Sequence, residues 1–99
     1  HKPALLVGIS SGTGGAYPIA ELRMSSYKNN RICYLPEHLI IRQVEAVFNA
    51  DPADNDPSAQ TYLEGRLDYC LKQLITYAQA FQTIRASETT NLDTYGSGM

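Results

Sequence analysis

The chain has 99 residues, 43% hydrophobic and 18% charged, with eight basic and ten acidic side chains for a net charge of −2. That is enough for one domain with a modest core, and too apolar for wholesale disorder. The charge balance excludes nucleic acid as a main partner, and no apolar run approaches the roughly 20 residues that span a bilayer.

Lys2-Pro3 leads into Ala4-Leu5-Leu6-Val7-Gly8-Ile9, an unbroken apolar run. Continuity rather than alternation predicts a strand covered on both faces, as in a parallel sheet. No signal-peptide layout precedes the run, and a cytoplasmic location is expected. Small residues follow, Ser10-Ser11-Gly12-Thr13-Gly14-Gly15, which let a backbone approach a ligand closely. A helix is predicted over Ala16–Asn29, with Pro18 in its first turn and Ile19, Leu22 and Tyr27 on one face. Lys28-Asn29-Asn30-Arg31 reads as its exit.

Ile32-Cys33-Tyr34-Leu35 is the second strand candidate, expected to lie parallel to Ala4–Ile9 with the helix crossing between them. Pro36 interrupts it, and Leu39-Ile40-Ile41 resumes an extended apolar run reaching Val47-Phe48. Asn49 to Pro57 is rich in Asp, Asn and Pro and reads as a surface loop. Asp56-Pro57 is a helix start, with Asp as cap and Pro in the first turn. Leu63, Leu67, Cys70, Leu74, Tyr77, Phe81 and Ile84 then alternate steps of four and three, one apolar stripe on a helix of roughly seven turns. The tail, 87–99, is small and polar and is expected to be unstructured. Cys33 and Cys70 are expected to be buried, reduced thiols. His1 and His38 are the only histidines, and no metal site is expected.

The loop after the first strand sits where α/β proteins place ligands. It lacks the lysine of a P-loop and the third glycine of a dinucleotide-binding turn. From composition alone, a flexible strand-to-helix turn without a ligand accounts for it equally well. Arg23 reads as a solvated helix arginine or a partner of Glu21 or Glu45. Glu37-His38, between two apolar runs, reads as an acid/base pair or, more simply, as two exposed polar residues of a loop.

The Lys-Pro strand, the small-residue loop closing on Gly14-Gly15 and the Leu22-Arg23 pair on the next helix resemble the NADPH-dependent FMN reductase family. Leu35-Pro36, an apolar strand, Glu45-x-x-Phe48, an acidic loop and a final amphipathic helix follow in the family's order. The resemblance covers residues 2 to about 85. It implies an α/β, flavodoxin-like three-layer sandwich with a parallel sheet, of which residues 1–99 are the C-terminal portion of a single domain. This chain then supplies the last two strands and their helices. The resemblance further implies FMN as cofactor and NAD(P)H as cosubstrate, with Ser10, Ser11, Gly12, Thr13, Gly14 and Gly15 near the flavin or its entrance, and no catalytic side chain. Hydride would pass through the flavin to a small-molecule acceptor such as a quinone, free flavin or azo compound. A homo-oligomer, dimer or tetramer, is implied as well. The family's phosphate-binding loop and its Pro-Glu-Tyr-Asn type segment do not occur in these residues, so an upstream half is expected to supply them. Two other readings stay open: a non-catalytic flavodoxin-like interaction module, and a nucleotide-phosphate binder using the Gly-rich loop.

Overall fold

The computed structural model describes residues 1–26, 31–87, 89 and 93–96. It is mixed α/β. Strand β1 (Lys2–Ile9) leads to helix α1 (Ala16–Ser25), strand β2 (Ile32–Ile41), two single 3-10 turns (Val44–Ala46 and Pro52–Asp54) and helix α2 (Pro57–Ala86). The strands pair in parallel as a two-stranded sheet, in the register Lys2 with Ile32 and Ile9 with Ile41. Parallel neighbours joined by a helix are what the two apolar runs predicted. The predicted end of α1, Tyr27 to Asn30, lies outside the described residues.

Pro36 does not divide β2, contrary to expectation. Ala4 pairs with Tyr34 but Leu6 pairs with His38, so β2 accommodates two extra residues in a bulge around Pro36. A proline has no N–H for the ladder, and a bulge is where a strand tolerates it. Arg23 of α1 reaches this bulge and donates through Nη2 to the carbonyls of Leu35 at 2.8 Å and Pro36 at 3.3 Å. Arg23 is exposed, as a solvated helix arginine is, but its partners are these carbonyls of β2 rather than Glu21 or Glu45.

The extended run does not continue to Phe48 either. β2 ends at Ile41, and the chain folds into the turn Val44–Ala46. Gln43 and Phe48 both take left-handed backbone conformations, with φ of 49° and 57°. Val47 nevertheless enters the core, beside Leu39, Ile41 and Leu63.

The two helices cover opposite faces of the sheet. On the α1 face, Gly8 lies against Ile19, and its pair mate Ile40 lies against Gly15. Alternation puts Leu39 and Ile41 on the other face, where they pack with Leu63 and Leu67 of α2. The same alternation carries Val7 and Ile9 to the α2 face, yet they stay 43% and 57% exposed. On β1 burial is therefore complete only at Leu6 and Gly8, on the α1 face.

The start of α2 is as predicted. Asp56 is the N-cap, its carboxylate accepting from the Ala59 N–H at 2.7 Å, and Pro57 occupies the first turn. The helix has 30 residues and so runs for about 45 Å, whereas a strand of eight covers about 26 Å. The apolar stripe is accordingly buried at Leu63 and Cys70, half-buried from Leu74 to Phe81, and exposed at Ile84. In the C-terminal half of α2, Tyr77 and Phe81 pack edge to face on each other, with ring centroids 6.1 Å apart. Cys33 and Cys70 are both free, the second fully buried and the first half-buried. Among the described residues no helix is long and apolar enough to cross a membrane. Part of the tail, 93–96, lies against Arg31, which donates to the carbonyls of Tyr95 and Gly96.

Leu63 is 6% exposed and Ile84 is 39% exposed, and this gradient is measurable. Leu63→Ala should cost about 2–5 kcal/mol, whereas Ile84→Ala should cost about 1 kcal/mol or less. Urea denaturation of both variants checks this, and equal costs would mean that the stripe packs uniformly along its length.

Candidate functional site

Both strands leave the sheet at the same end, so the segments after Ile9 and after Ile41 meet. Ser10 N–H donates to Ile41 O at 2.9 Å, extending the ladder by one rung. Val44 N–H returns to Ser10 O at 3.1 Å, and Gln43 N–H donates to Gly12 O at 3.2 Å. Arg42 Nε donates to Thr13 O at 3.2 Å, and the Ser10 hydroxyl donates to Gly12 O at 2.9 Å. Tyr17 N–H takes Gly14 O at 3.0 Å as α1 begins.

Apart from the rung that Ser10 N–H makes on Ile41 O, these bonds all end on loop carbonyls. They consume the carbonyls of Ser10, Gly12, Thr13 and Gly14, while no hydrogen bond among the described residues engages the N–H groups of Ser11 to Gly15. Those donors stand at the N-terminus of α1, where Gly15 provides no side-chain cap and no acidic residue occupies the first turn. Free N–H groups at the positive end of a helix suit an anion or an electron-rich ligand edge. Gln43 pays for its bonds to the loop with a left-handed backbone, a conformation costing about 1–2 kcal/mol in an L-residue.

The six loop residues fall into two groups. Ser11, Gly12 and Thr13 are exposed and Gly14 is half-exposed, with the exposed ring of Tyr17 beside it. Ser10 and Gly15 belong to the packing beneath: a methyl on Gly15 would sit 3.1 Å from the Ile40 side chain and 3.2 Å from Ser10 Oγ. Gly8 is tighter still. A methyl there would lie 2.0 Å from Gly15 O, so the strand and the loop touch backbone to backbone. A glycine inside an apolar strand is a signal of such an approach, and it stands in the sequence at Gly8. Arg42 and Gln43 are the other residues that the sequence left unmarked. They become visible only once β2 is seen to end at Ile41.

Glu37 and His38 do not form a pair, because strand alternation sends them to opposite faces. Glu37 is ion-paired to Arg66 of α2, and this hydrogen bond holds the Arg66 guanidinium above its usual pKa. Arg66 Nη2 also donates to His38 O at 3.2 Å. No group of three or more His, Cys, Asp or Glu side chains is placed to hold a metal ion among the described residues.

Comparison with protein-family models, with curated proteins and with solved structures found no match to this chain. The chemistry of the site therefore rests on its geometry.

The two kinds of glycine separate by mutation. Gly8→Ala should cost on the order of 1–3 kcal/mol through overpacking. Gly12, around which an added methyl meets nothing within 4 Å, should tolerate Ala within about 0.5 kcal/mol. Thermal or urea unfolding checks both, and a neutral Gly8→Ala would show that the loop is not held against β1.

Proposed function

We propose that this chain is part of an NAD(P)H-dependent FMN reductase with a flavodoxin-like three-layer sandwich, and that Ser10–Gly15 holds one edge of the flavin. The observation that carries this reading is the loop at the carboxyl end of β1. Its carbonyls are tied to the segment after β2, and its N–H groups point to no protein partner among the described residues.

The residues fit a flavin edge. Ser11, Gly12, Thr13 and Gly14 offer neutral backbone donors and two hydroxyls, with the N-terminus of α1 behind them. Neutral donors suit the delocalised carbonyl and nitrogen acceptors of a flavin ring. When bound, FMN supplies hydride transfer between NAD(P)H and a small-molecule acceptor such as a quinone. The chain's own contribution is to bind and orient. Ser10 fixes the loop through Gly12 O, Arg42 and Gln43 fix it from the segment after β2, and Gly8 lets it lie flat on the strand. In this reading the phosphate arm, NAD(P)H specificity and a homo-oligomeric partner come from sequence ahead of residue 1 and from other copies, in the cytoplasm.

A single arm binds weakly. A few hydrogen bonds at roughly 0.5–1.5 kcal/mol each must offset an association entropy of about 4 kcal/mol or more. FMN titrated into the 99-residue chain should therefore give no saturable quenching of flavin fluorescence at low micromolar concentration. In a protein that also carries a phosphate turn ahead of residue 1, quenching should saturate. There Gly12→Val should weaken FMN binding while leaving the unfolding midpoint in place, because the space around Gly12 is open. Unchanged FMN affinity in that variant would remove the loop from the flavin site.

A further inference from the structure

We propose that the groove between the free edge of β2 and α2 binds the oxyanion group of a small ligand, a phosphate or a carboxylate, through Arg42, Arg66 and Tyr62. The groove is a cavity of about 230 Å³ lined by these three side chains together with His38, Leu39 and Ile40. It adjoins the Ser10–Gly15 loop through Arg42, whose Nε donates to Thr13 O, but no residue of that loop lines it, and the inference stands whether or not the loop holds a flavin.

The charge of the lining is the first argument. The chain as a whole carries −2, yet the cavity is lined by two guanidinium groups and by no carboxylate. Glu37 stands beside Arg66 and pairs with it. Asp56, which lines the adjoining hollow that also contains Arg42 and Tyr62, is engaged by the Ala59 N–H.

The second argument is the balance of donors. Each arginine is fixed at one atom and free at others. Arg42 gives Nε to Thr13 O, which leaves both terminal nitrogens of an exposed guanidinium. Arg66 gives Nη2 to Glu37 and to His38 O, and its guanidinium lies 5.6 Å from the ring centroid of Tyr69. A guanidinium pinned at one corner loses little entropy when its remaining N–H groups take a planar or tetrahedral oxyanion. Tyr62, 70% exposed, adds a hydroxyl.

The third argument concerns what else might fill a groove at a strand edge. Ile41 O faces β1, since it accepts from Ser10 N–H. By alternation the backbone groups of His38 and Ile40 face outward. An added strand would need His38 O as an acceptor, and Arg66 already occupies it. Covering an edge with a cation opposes strand addition, so the geometry favours a small anion over an extended peptide.

The test is amide NMR on the full chain at constant ionic strength, with inorganic phosphate in one titration and succinate in another. Saturable shifts at His38, Ile40 and Tyr62 are expected with at least one anion, and the anion that saturates names the group. Arg42→Gln should weaken that binding about tenfold or more, the usual loss for a charge-assisted hydrogen bond. Arg42→Lys, which keeps the charge but not the fork, should fall between. Tyr62→Phe, an exposed change on α2, should also weaken binding and serves if Arg42→Gln disturbs the loop. Absence of saturation with both anions, or binding that Arg42→Gln and Tyr62→Phe leave unchanged, would overturn the proposal.

Discussion

Parallel pairing of β1 with β2 makes the chain leave the sheet twice at one end, and the two exits must share that space. They do so by bonding backbone to backbone. Ser10 N–H completes the ladder on Ile41 O, and Val44 N–H closes back on Ser10 O. An antiparallel pair would place these segments at opposite ends of the sheet and leave the small-residue loop without an anchor. Because the anchor takes carbonyls and leaves N–H groups, the pairing decides the chemical character of the site as well as its location.

The same two strands set the limits of the core. A two-stranded sheet has little surface to offer, and α2 outruns it. Burial is concentrated where Leu39, Ile41, Val47 and Leu63 converge, and it thins toward the C-terminal turns. Next to β1 the balance reverses. Val7 and Ile9 remain exposed on the face that α2 covers over β2. Leu71 and Ile75, to one side of the stripe, are also exposed, Ile75 by 59%. Arg66 fixes which way the helix sits, since its pairing with Glu37 ties that flank of α2 to β2.

Local chemistry was legible in the sequence where one or two residues decide it. Asp56-Pro57 starts α2 because a carboxylate cap and a missing N–H act within one turn. The stripe from Leu63 to Phe81 has the helical period that burial follows. Pro36 looks like an interruption in the sequence, because its effect depends on whether the neighbouring strand permits a bulge. Arg23 and Arg66 were not legible for a similar reason. Each donates to a main-chain carbonyl of β2, twelve or more residues away, and a carbonyl carries no mark of its residue type. The loop itself was legible in composition and position, but not in its division of labour. Gly8 and Gly15 are the glycines that the fold requires, while Gly12 has space around it.

That division bears on how a ligand would be held. A loop whose glycines all served close packing would have none to spare for a ligand, and substitution at any of them would unfold the chain. Here the tight contacts are confined to Gly8 and Gly15, beneath the surface, and the strained residue is Gln43 on the neighbouring segment. The exposed stretch from Ser11 to Gly14 is thereby shaped by its supports rather than by its own packing. A surface shaped in this way presents donors at little cost in ordering when a ligand arrives. Its donors are neutral, and the cation closest in the hydrogen-bond network, Arg42, is turned by its Nε toward Thr13 O. Neutral, fixed donors match a delocalised acceptor edge, whereas a phosphate dianion would meet the helix N-terminus without the added charge-assisted bonds of a cation at the loop itself.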